Sequence, residues 1–289
     1  MAGNLTGILL VDKPQGFTSH DVVAKLRRLT GERRIGHSGT LDPMATGLLV
    51  VFIGRATRAV PFAEADDKKY LAALRLGVTT DTQDITGAVL NESGKTATLD
   101  ELNVILPRFR GELMQIPPMY SAIKINGRKL YDIARRGQVV ERQPRKVIIS
   151  RLEVTGERAG DFLLDITCSK GTYIRTLCSD IGEALGCGGC LSFLRRTGAG
   201  RFSIADAHTL SQVEQAGVDA FLLPVDTVFS EYPRIKADKN AEKCARVGAP
   251  FSAQVADGDY RVYSEKGEFL MLARGQDGKI QTIKSFFEV

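Results

Sequence analysis

The apolar residues of this 289-residue chain are divided into short runs, and this division restricts the folds that it can adopt. The longest runs, GILLV at 7–11 and GLLVVFIG at 47–54, are far shorter than the roughly 20 residues of a membrane-spanning helix. We interpret both as buried elements of a soluble core, and the second fits a buried strand as well as a buried helix. The first residues lack the pattern of a secretion signal, so we expect a cytoplasmic protein.

Helix and strand patterns do not alternate regularly along the chain. A helix is predicted to begin at Thr18 or Ser19 and to end at Gly31, and another to end at Gly186. Most other segments are typical of strands joined by turns, whereas a doubly wound sheet would alternate strand and helix. We predict an α+β fold with a mixed, mostly antiparallel sheet over residues 1–229, followed by a small module of two or three strands at 230–289.

The segment DFLLDITCSKGTYIRTL, residues 161–177, is interpreted as a strand that carries two candidate site residues. Tyr173 and Arg175 are two positions apart. If the strand continues through Gly171, both side chains point to the same face of the sheet.

Five cysteines are consistent with reduced thiols rather than with a disulfide framework. Cys187 and Cys190 form a C-x-x-C pair, which occurs in zinc sites and in redox pairs. A second pair with suitable spacing is missing. We therefore interpret the cysteines as small buried residues and predict no metal site.

Positive charge is concentrated in one segment, although the net charge of the whole chain is a modest +5. Between Pro117 and Arg151 only Asp132 and Glu141 oppose the cations, which are Lys124, Arg128, Lys129, Arg135, Arg136, Arg142, Arg145, Lys146 and Arg151. A solvated helix face explains many such runs. The interleaved Tyr120 and Tyr131 favour a surface that attracts RNA.

The loop GHSGTLDPMATG, residues 36–47, holds the residues with the clearest chemical potential. It lacks the glycine pattern of a phosphate loop or of a dinucleotide site. A hydrolytic triad of His37, Ser38 and Asp42 is disfavoured because the nucleophile elbow G-x-S-x-G is absent. The third interpretation makes Asp42 itself the reactive group, held rigid by Leu41 and Pro43.

Five motifs follow one another in a specific order. They are VDKPQGFTSHDVV (11–23), GHSGTLDPMATGLLVVFIGRATR (36–58), KKYLAALRLGVTTDTQDITG (68–87), GTYIRTLCSDIGEALG (171–186) and LRRTGAGRF (194–202). Together they resemble the TruB family of tRNA pseudouridine-55 synthases over residues 7–228. Residues 230–289 resemble, more weakly, a short RNA-binding PUA domain.

The resemblance implies a pseudouridine-synthase catalytic domain at 1–229, with a basic RNA-clamp insertion at about 117–142, and a PUA-like domain at 230–289. The implied reaction is isomerisation of uridine 55 in the T loop of tRNA: the base is detached from C1′, turned and reattached through C5. The implied partner is the T-arm stem-loop, with no cofactor and no metal, and we expect a monomer. The alternative is a tRNA-folding chaperone in which catalysis is secondary.

The resemblance also implies catalytic roles for Asp42, Tyr70 and Arg175. A carboxylate near the sugar suits glycosidic bond cleavage, and Asp42 would either attack the nucleoside or remove a sugar proton. A buried carboxylate tends to protonate unless it is paired, and a guanidinium such as Arg175 suits that pairing, although a strand arginine is more often a surface cation. Tyr70 would stack on the displaced uracil and meet a migrating proton.

RNA contacts are predicted because a base inside a folded loop must be extruded before an enzyme can reach it. His37 is expected to act as a wedge or stacking surface near the extruded base, and Tyr173 is a second aromatic candidate. The remaining predicted contacts are Lys13, Arg135, Arg136, Arg142, Arg195 and Arg196.

Overall fold

Helices and strands occur throughout the computed structural model, which describes residues 5–125 and 127–287. The helices are α1 (Ser19–Thr30), α2 (Val60–Ala65), α3 (Leu99–Ile105), α4 (Leu130–Ala134), α5 (Ile174–Ala184), α6 (Leu210–Ala216) and α7 (Lys239–Arg246). The strands are β1 (Gly7–Lys13), β2 (Ile35–Ser38), β3 (Thr46–Ile53), β4 (Lys68–Leu76), β5 (Val78–Thr80), β6 (Val89–Glu92), β7 (Gly111–Gln115), β8 (Lys124–Ile125), β9 (Arg128–Lys129), β10 (Arg145–Arg158), β11 (Asp161–Cys168), β12 (Gly189–Ala199), β13 (Phe202–Ser203), β14 (His208–Thr209), β15 (Arg234–Lys236), β16 (Phe251–Ser252), β17 (Gly258–Tyr263), β18 (Phe269–Gln276) and β19 (Lys279–Ser285).

One large sheet forms the framework of the chain before the C-terminal module. Its strand order is β14-β1-β3-β12-β4-β11-β10-β7, with β2 beside β3 and β13 beside β12. In the described ranges, β1 with β14 and β3 with β12 are its parallel pairs, and the other neighbours are antiparallel. This arrangement confirms the predicted α+β fold with a mixed, mostly antiparallel sheet. Among these same residues, no helix is both long enough and apolar enough to cross a bilayer.

The run at 47–54 forms the central strand β3 and enters a 3-10 turn at Gly54. Leu48, Val50 and Phe52 pack into one core cluster, and alternate residues such as Val51 pack into another, beneath α1 and α6. Because both faces are covered, the strand is apolar without alternation, which explains why its sequence fits helix and strand equally. The loop before β3, which carries Asp42, therefore ends on a rigid element.

Helix α1 begins and ends as predicted, and its start supports the same loop. Thr18 caps the first turn in a reciprocal capping box with Asp21, and Gly31 ends the helix with a φ of 71°. Ser19 is buried, and its hydroxyl accepts the N–H of Leu41 at 2.9 Å. The helix start thus fixes the backbone beside Asp42.

The prediction that Tyr173 and Arg175 lie on a strand is wrong. Strand β11 ends at Cys168, the chain turns at Gly171 with a φ of 81°, and α5 begins at Ile174 with Tyr173 as its N-cap. The start of α5 is buried throughout from Ile174 to Cys178, and Ile181 and Gly182 are buried in the next turn, where the helix packs on β12. Arg175 consequently projects from the first turn of a helix.

The C-terminal sheet has the order β15-β17-β18-β19-β16, which is more strands than the two or three predicted. Its own core includes Val262, Leu270 and Ile280. Phe269 and Phe286 stack at 5.1 Å between ring centroids and pack against Phe229. This apolar contact attaches the small sheet to the large one.

Candidate active site

Asp42 lies in a tight loop that leaves its carboxylate partly accessible to solvent. The carbonyl of Asp42 accepts the N–H of Ala45 at 3.1 Å, and that of Pro43 accepts the N–H of Gly16 at 2.8 Å. Leu41 is buried on one side of it, within the same core cluster as Met44. The Asp42 side chain keeps 38% of its surface accessible, so it is within reach of a substrate.

Arg175 forms a two-pronged ion pair with Asp42 across 133 positions of sequence. Its Nε lies 2.9 Å from Oδ2 of Asp42, and its Nη2 lies 3.5 Å from Oδ1. Arg175 is 5% exposed. The structure thus brings together the carboxylate and the guanidinium that the sequence places far apart, in the geometry that a planar fork favours.

Backbone carbonyls hold the rest of the Arg175 guanidinium. Its Nη1 donates to the carbonyl of Thr82 at 3.0 Å, and its Nη2 donates to the carbonyl of Tyr120 at 2.8 Å. Thr82 follows β5, whereas Tyr120 lies at the start of the basic insertion. These contacts fix the guanidinium in position beside Asp42, and they connect it directly to the insertion.

Asp84 is a second carboxylate at this site, and it was missed in the sequence analysis. It is 4% exposed, and its Oδ2 lies 3.7 Å from Nη1 of Arg175. Its Oδ1 accepts hydrogen bonds from the N–H of Thr86 at 2.9 Å and from the hydroxyl of Thr82 at 3.0 Å. The acidic, hydroxyl-rich segment DTQDITG indicated a capped turn, but nothing in it signalled a contact with Arg175.

The pKa of the Asp42 carboxyl is raised above its usual value. Burial is the largest cause, and the nearby negative charge of Asp84 adds to it. The positive charge and hydrogen bond of Arg175 act in the opposite direction. Arg175 therefore favours the ionised carboxylate, whereas burial and Asp84 favour the protonated form.

Because the pKa of Asp42 is raised, kcat/KM should begin to fall on the acid side at a higher pH than an ordinary aspartate would cause. If Asp42 must be ionised to react, activity falls as the pH drops through its pKa, which lies above the ordinary aspartate value of about 3.9. Asp84→Asn removes a like charge, so it is expected to lower the pKa of Asp42 and to move the acid side of the kcat/KM profile to lower pH. The measurement is kcat/KM from pH 4.5 to 8.

The matched control for this profile is Asp81→Asn, which removes an exposed carboxylate from the same turn. Asp81 is not among the charges that shift the pKa of Asp42. The acid side of its profile should coincide with that of the unaltered protein. If the acid side of the kcat/KM profile stays in place or moves to higher pH in Asp84→Asn, the electrostatic account is contradicted.

Tyr70 lies on β4, and its side chain packs in the same core cluster as Leu41 and Met44, which flank Asp42. It is 9% exposed, and it pairs across the sheet with Ile166 on one side and Arg196 on the other. Burial raises the pKa of the Tyr70 phenol, while the charge and hydrogen bonding of Arg196 lower it. The hydroxyl is therefore protonated at neutral pH.

His37 lies on β2, opposite Val51 of β3. Its Nδ1 is buried and has no hydrogen-bond partner in the described structure. Burial and the positive charge of Arg196 lower the pKa of this imidazole, so it is neutral at neutral pH. A neutral ring suits the stacking role that was predicted for it better than an acid role.

Tyr173 is half-buried beside Arg175, and Gln115 fixes its backbone. The side-chain amide of Gln115 accepts the N–H of Tyr173 at 2.8 Å and donates to its carbonyl at 3.0 Å. This double contact joins β7 to the start of α5. It therefore supports both Tyr173 and Arg175.

Three cations predicted to contact the RNA backbone have partners inside the protein. Lys13 is fully buried, and its ammonium donates to the carbonyls of Pro14 at 2.9 Å and Phe17 at 2.6 Å. Burial lowers the pKa of Lys13 to about 8. Arg196 is 1% exposed, so neither side chain presents a surface charge.

Arg195 is less buried, but a carboxylate already neutralises it. Its Nη2 and Nη1 lie 2.7 Å and 3.1 Å from the two oxygens of Asp12. The alternating direction of side chains along β12 separates it from the buried Arg196. Sequence reasoning could not distinguish the two neighbours because the strand register was unknown.

The basic insertion at 117–142 contains the short β8–β9 hairpin and helix α4. Arg135 and Arg136 are exposed at the end of α4, with the Arg135 guanidinium 5.5 Å from the ring centre of Tyr131. Arg142 instead donates from Nη1 to the carbonyl of Pro117 at 3.1 Å. It closes the base of the insertion, whereas the other two arginines face solvent.

The cysteines form no disulfide. Cys168, Cys178, Cys187 and Cys190 are buried, and Cys244 is half-buried. Within residues 5–125 and 127–287, no group of three or more histidine, cysteine, aspartate or glutamate side chains is arranged to hold a metal ion. Cys187 and Cys190 have no functional explanation in the structure.

Two family models match the chain consecutively. The model described as TruB family pseudouridylate synthase (N terminal domain) matches residues 27–174. The model described as tRNA pseudouridylate synthase B C-terminal domain matches residues 175–230. Both Asp42 and Arg175 lie within the matched region.

Curated relatives are similar over nearly the full length. A protein of Clostridium kluyveri named tRNA pseudouridine synthase B is 38% identical over 288 residues, covering 98% of this chain and 100% of the relative. One of Pseudomonas syringae with the same name is 43% identical, covering 96% and 94%.

Solved structures show the same fold. A chain from a crystal structure of a Cbf5-Nop10-Gar1 complex matches with a TM-score of 0.74 at 26% identity, covering 97% of this chain and 85% of that one. A chain from an H/ACA RNP bound to a substrate RNA containing 2′-deoxyuridine matches with a TM-score of 0.72 at 24% identity, covering 98% and 85%.

Proposed function

This chain belongs to the TruB family of pseudouridylate synthases, and we propose that it converts uridine 55 in the T loop of tRNA to pseudouridine. That it is a tRNA pseudouridine synthase follows from the family and from relatives named for this activity. The observation that carries the proposed chemistry is the accessible Asp42 carboxylate, paired with the buried Arg175.

The isomerisation breaks the bond from N1 to C1′ and forms a bond from C5 to C1′. The hydrogen on C5 leaves as a proton, and N1 gains a proton, so the formula of the nucleotide does not change. We propose that Asp42 acts on the ribose, either as a nucleophile or by removing a sugar proton. Both routes need the ionised carboxylate that Arg175 favours.

We propose that aromatic side chains near Asp42 contact the detached base and the RNA around it. Tyr70 would stack on the uracil and exchange a proton with it, since its hydroxyl is protonated and its side chain packs in the same core cluster as Leu41 and Met44 beside Asp42. His37 would fill the space that the extruded base leaves, and Tyr173 would contact the RNA beside Arg175. None of these contacts needs a charged side chain.

A chaperone in which catalysis is secondary is not favoured, because the relatives are named for the synthase activity. We further propose a catalytic domain at 1–229, with the basic insertion as an RNA clamp, and a PUA-like RNA-binding domain at 230–289. We propose that the protein acts in the cytoplasm, which is consistent with a tRNA substrate. We also propose that it is a monomer. Light scattering during size exclusion would test the last point by returning 31.5 kDa or a multiple of it.

Tritium release tests the proposed reaction and its position. When C5 becomes bonded to C1′, its hydrogen passes to water, so tRNA made with [5-³H]uridine should release one tritium equivalent per molecule. The control substrate carries cytidine at position 55 and should release none. Equal release from both substrates would contradict the proposed position, and no release from either would contradict the reaction.

We predict that the clamp acts through its two exposed arginines. Changing Arg135 and Arg136 together to glutamine should weaken tRNA binding and flatten its salt dependence, because each phosphate contact adds about 0.7–0.9 to the slope of log K against log salt. The measurement is tRNA affinity between 50 and 300 mM KCl.

The control for charge is the double change of Arg108 and Arg110 to glutamine, which removes the same two charges outside the insertion. Its slope should match that of the unaltered protein. Equal flattening in both double variants would show a general charge effect and would contradict the clamp.

A further inference from the structure

Arg196 is a buried cation that forms no ion pair in the described part of the chain. Its side chain is 1% exposed, its Nε donates to the carbonyl of Leu48 at 2.6 Å, and its Nη2 donates to the carbonyl of Gly39 at 3.1 Å. A buried charge without a counter-ion is costly. Packing alone therefore does not explain an arginine here.

Two glycines lie against Arg196, one at its backbone and one at its guanidinium. Gly47 pairs with Arg196 across β3 and β12, and a Cβ there would lie within 2.3 Å of the Arg196 carbonyl oxygen. Gly39 has a φ of +79°, and a Cβ there would lie 3.2 Å from Nη1 of Arg196. Strand β3 thus closes tightly on the backbone of Arg196 at Gly47, and the loop closes on its guanidinium at Gly39.

Tyr70 lies on the other side of Arg196. The two residues are direct partners in the register of β4 and β12, so their side chains share one face of the sheet. Arg196 therefore bridges three parts of the site: the loop of Asp42 through Gly39, the strand β3 through Leu48, and the aromatic wall through Tyr70.

We propose that Arg196 is a positioning residue, whose guanidinium fixes the hydroxyl of Tyr70 relative to the loop that carries Asp42. The inference rests on the proposed role of Tyr70, but its main test does not depend on activity. The interior position also replaces the predicted contact of Arg196 with the RNA backbone.

The charges around Tyr70 support this arrangement. Burial, Cys168 and Asp42 raise the pKa of its phenol, and Arg196 is the group that lowers it. The same guanidinium lowers the pKa of His37, Lys13 and Lys68. Arg196 is thus a local source of positive potential that favours negative charge next to the detached base.

The test follows Tyr70 directly by NMR of protein labelled with [¹³Cζ]tyrosine. Tyr70→Phe identifies its resonance among the seven tyrosines. In Arg196→Gln the resonance should shift, whereas Arg196→Lys should reverse part of that shift, because it keeps the charge but not the fork. In the same variants kcat should fall by about 10–100-fold with KM changed by less than about twofold.

The matched control is Arg110→Gln, which removes another guanidinium that donates to a backbone carbonyl, that of Leu152. Its Tyr70 resonance and kcat should not change. If the Arg196 variants do not fold, Gly39→Ala provides the second perturbation, since its methyl group displaces the guanidinium and should also shift the resonance. An unchanged Tyr70 resonance in the folded Arg196 variants, or in Gly39→Ala, would overturn the proposal.

Discussion

Asp42→Asn is expected to abolish pseudouridine formation while tRNA binding persists. Asparagine keeps the shape of the side chain and one acceptor oxygen for Arg175, but it has no carboxylate to act on the ribose. Removing a reactive group of this kind lowers the rate by about 10⁴-fold or more. Single-turnover tritium release and a binding titration with the same tRNA measure the two effects.

Binding should persist because the change removes a negative charge from the site that we propose receives a polyanion. The thermal unfolding midpoint serves as the control for folding, since Asp42 is the partner of a buried arginine. A folded Asp42→Asn protein that forms pseudouridine at a rate near that of the unaltered protein would refute the assignment of Asp42.

Arg175→Lys should lower the rate by about 100-fold, the size of effect that follows from misplacing a reacting group by about 1 Å. One ammonium cannot replace a planar fork that contacts Asp42 and the carbonyls of Thr82 and Tyr120 at once. The pKa of Asp42 should also rise, because the opposing charge is less well placed. Part of the loss should therefore recover as the pH is increased.

The matched control is Arg75→Lys. Arg75 forms its own two-pronged pair with Asp161 at 3.0 and 3.1 Å, on the same strand as Tyr70 but away from Asp42. Its rate should stay within about twofold of the unaltered protein, as is usual for partly exposed pairs. Similar losses in both variants would contradict a specific role for Arg175.

Local signals in the sequence were sufficient for several elements. The capping residues of α1 predicted its start, and Gly31 predicted its end, because these positions depend on neighbours within one turn. The mostly antiparallel sheet followed from strands joined by turns. The importance of the Asp42 loop was also recognised from the residues alone, although its reaction was assigned through family resemblance.

Contacts between residues far apart in the sequence could not be predicted in this way. Arg175 was expected on a strand because a two-residue spacing fits a strand as easily as the first turn of a helix. Asp84 was missed because its contact with Arg175 joins positions 84 and 175. Arg196 was predicted to contact the RNA backbone, since no local pattern shows that its guanidinium lies in the interior beside Gly39.

The central claim is that Asp42, kept ionised by Arg175, isomerises one uridine of tRNA. The most direct measurement is a base-resolution map of pseudouridine in an unmodified tRNA transcript after incubation with the purified protein and with no added cofactor. The account predicts one stoichiometric pseudouridine, at position 55, which disappears with Asp42→Asn. Pseudouridine at another position, or a map that Asp42→Asn leaves unchanged, would contradict it.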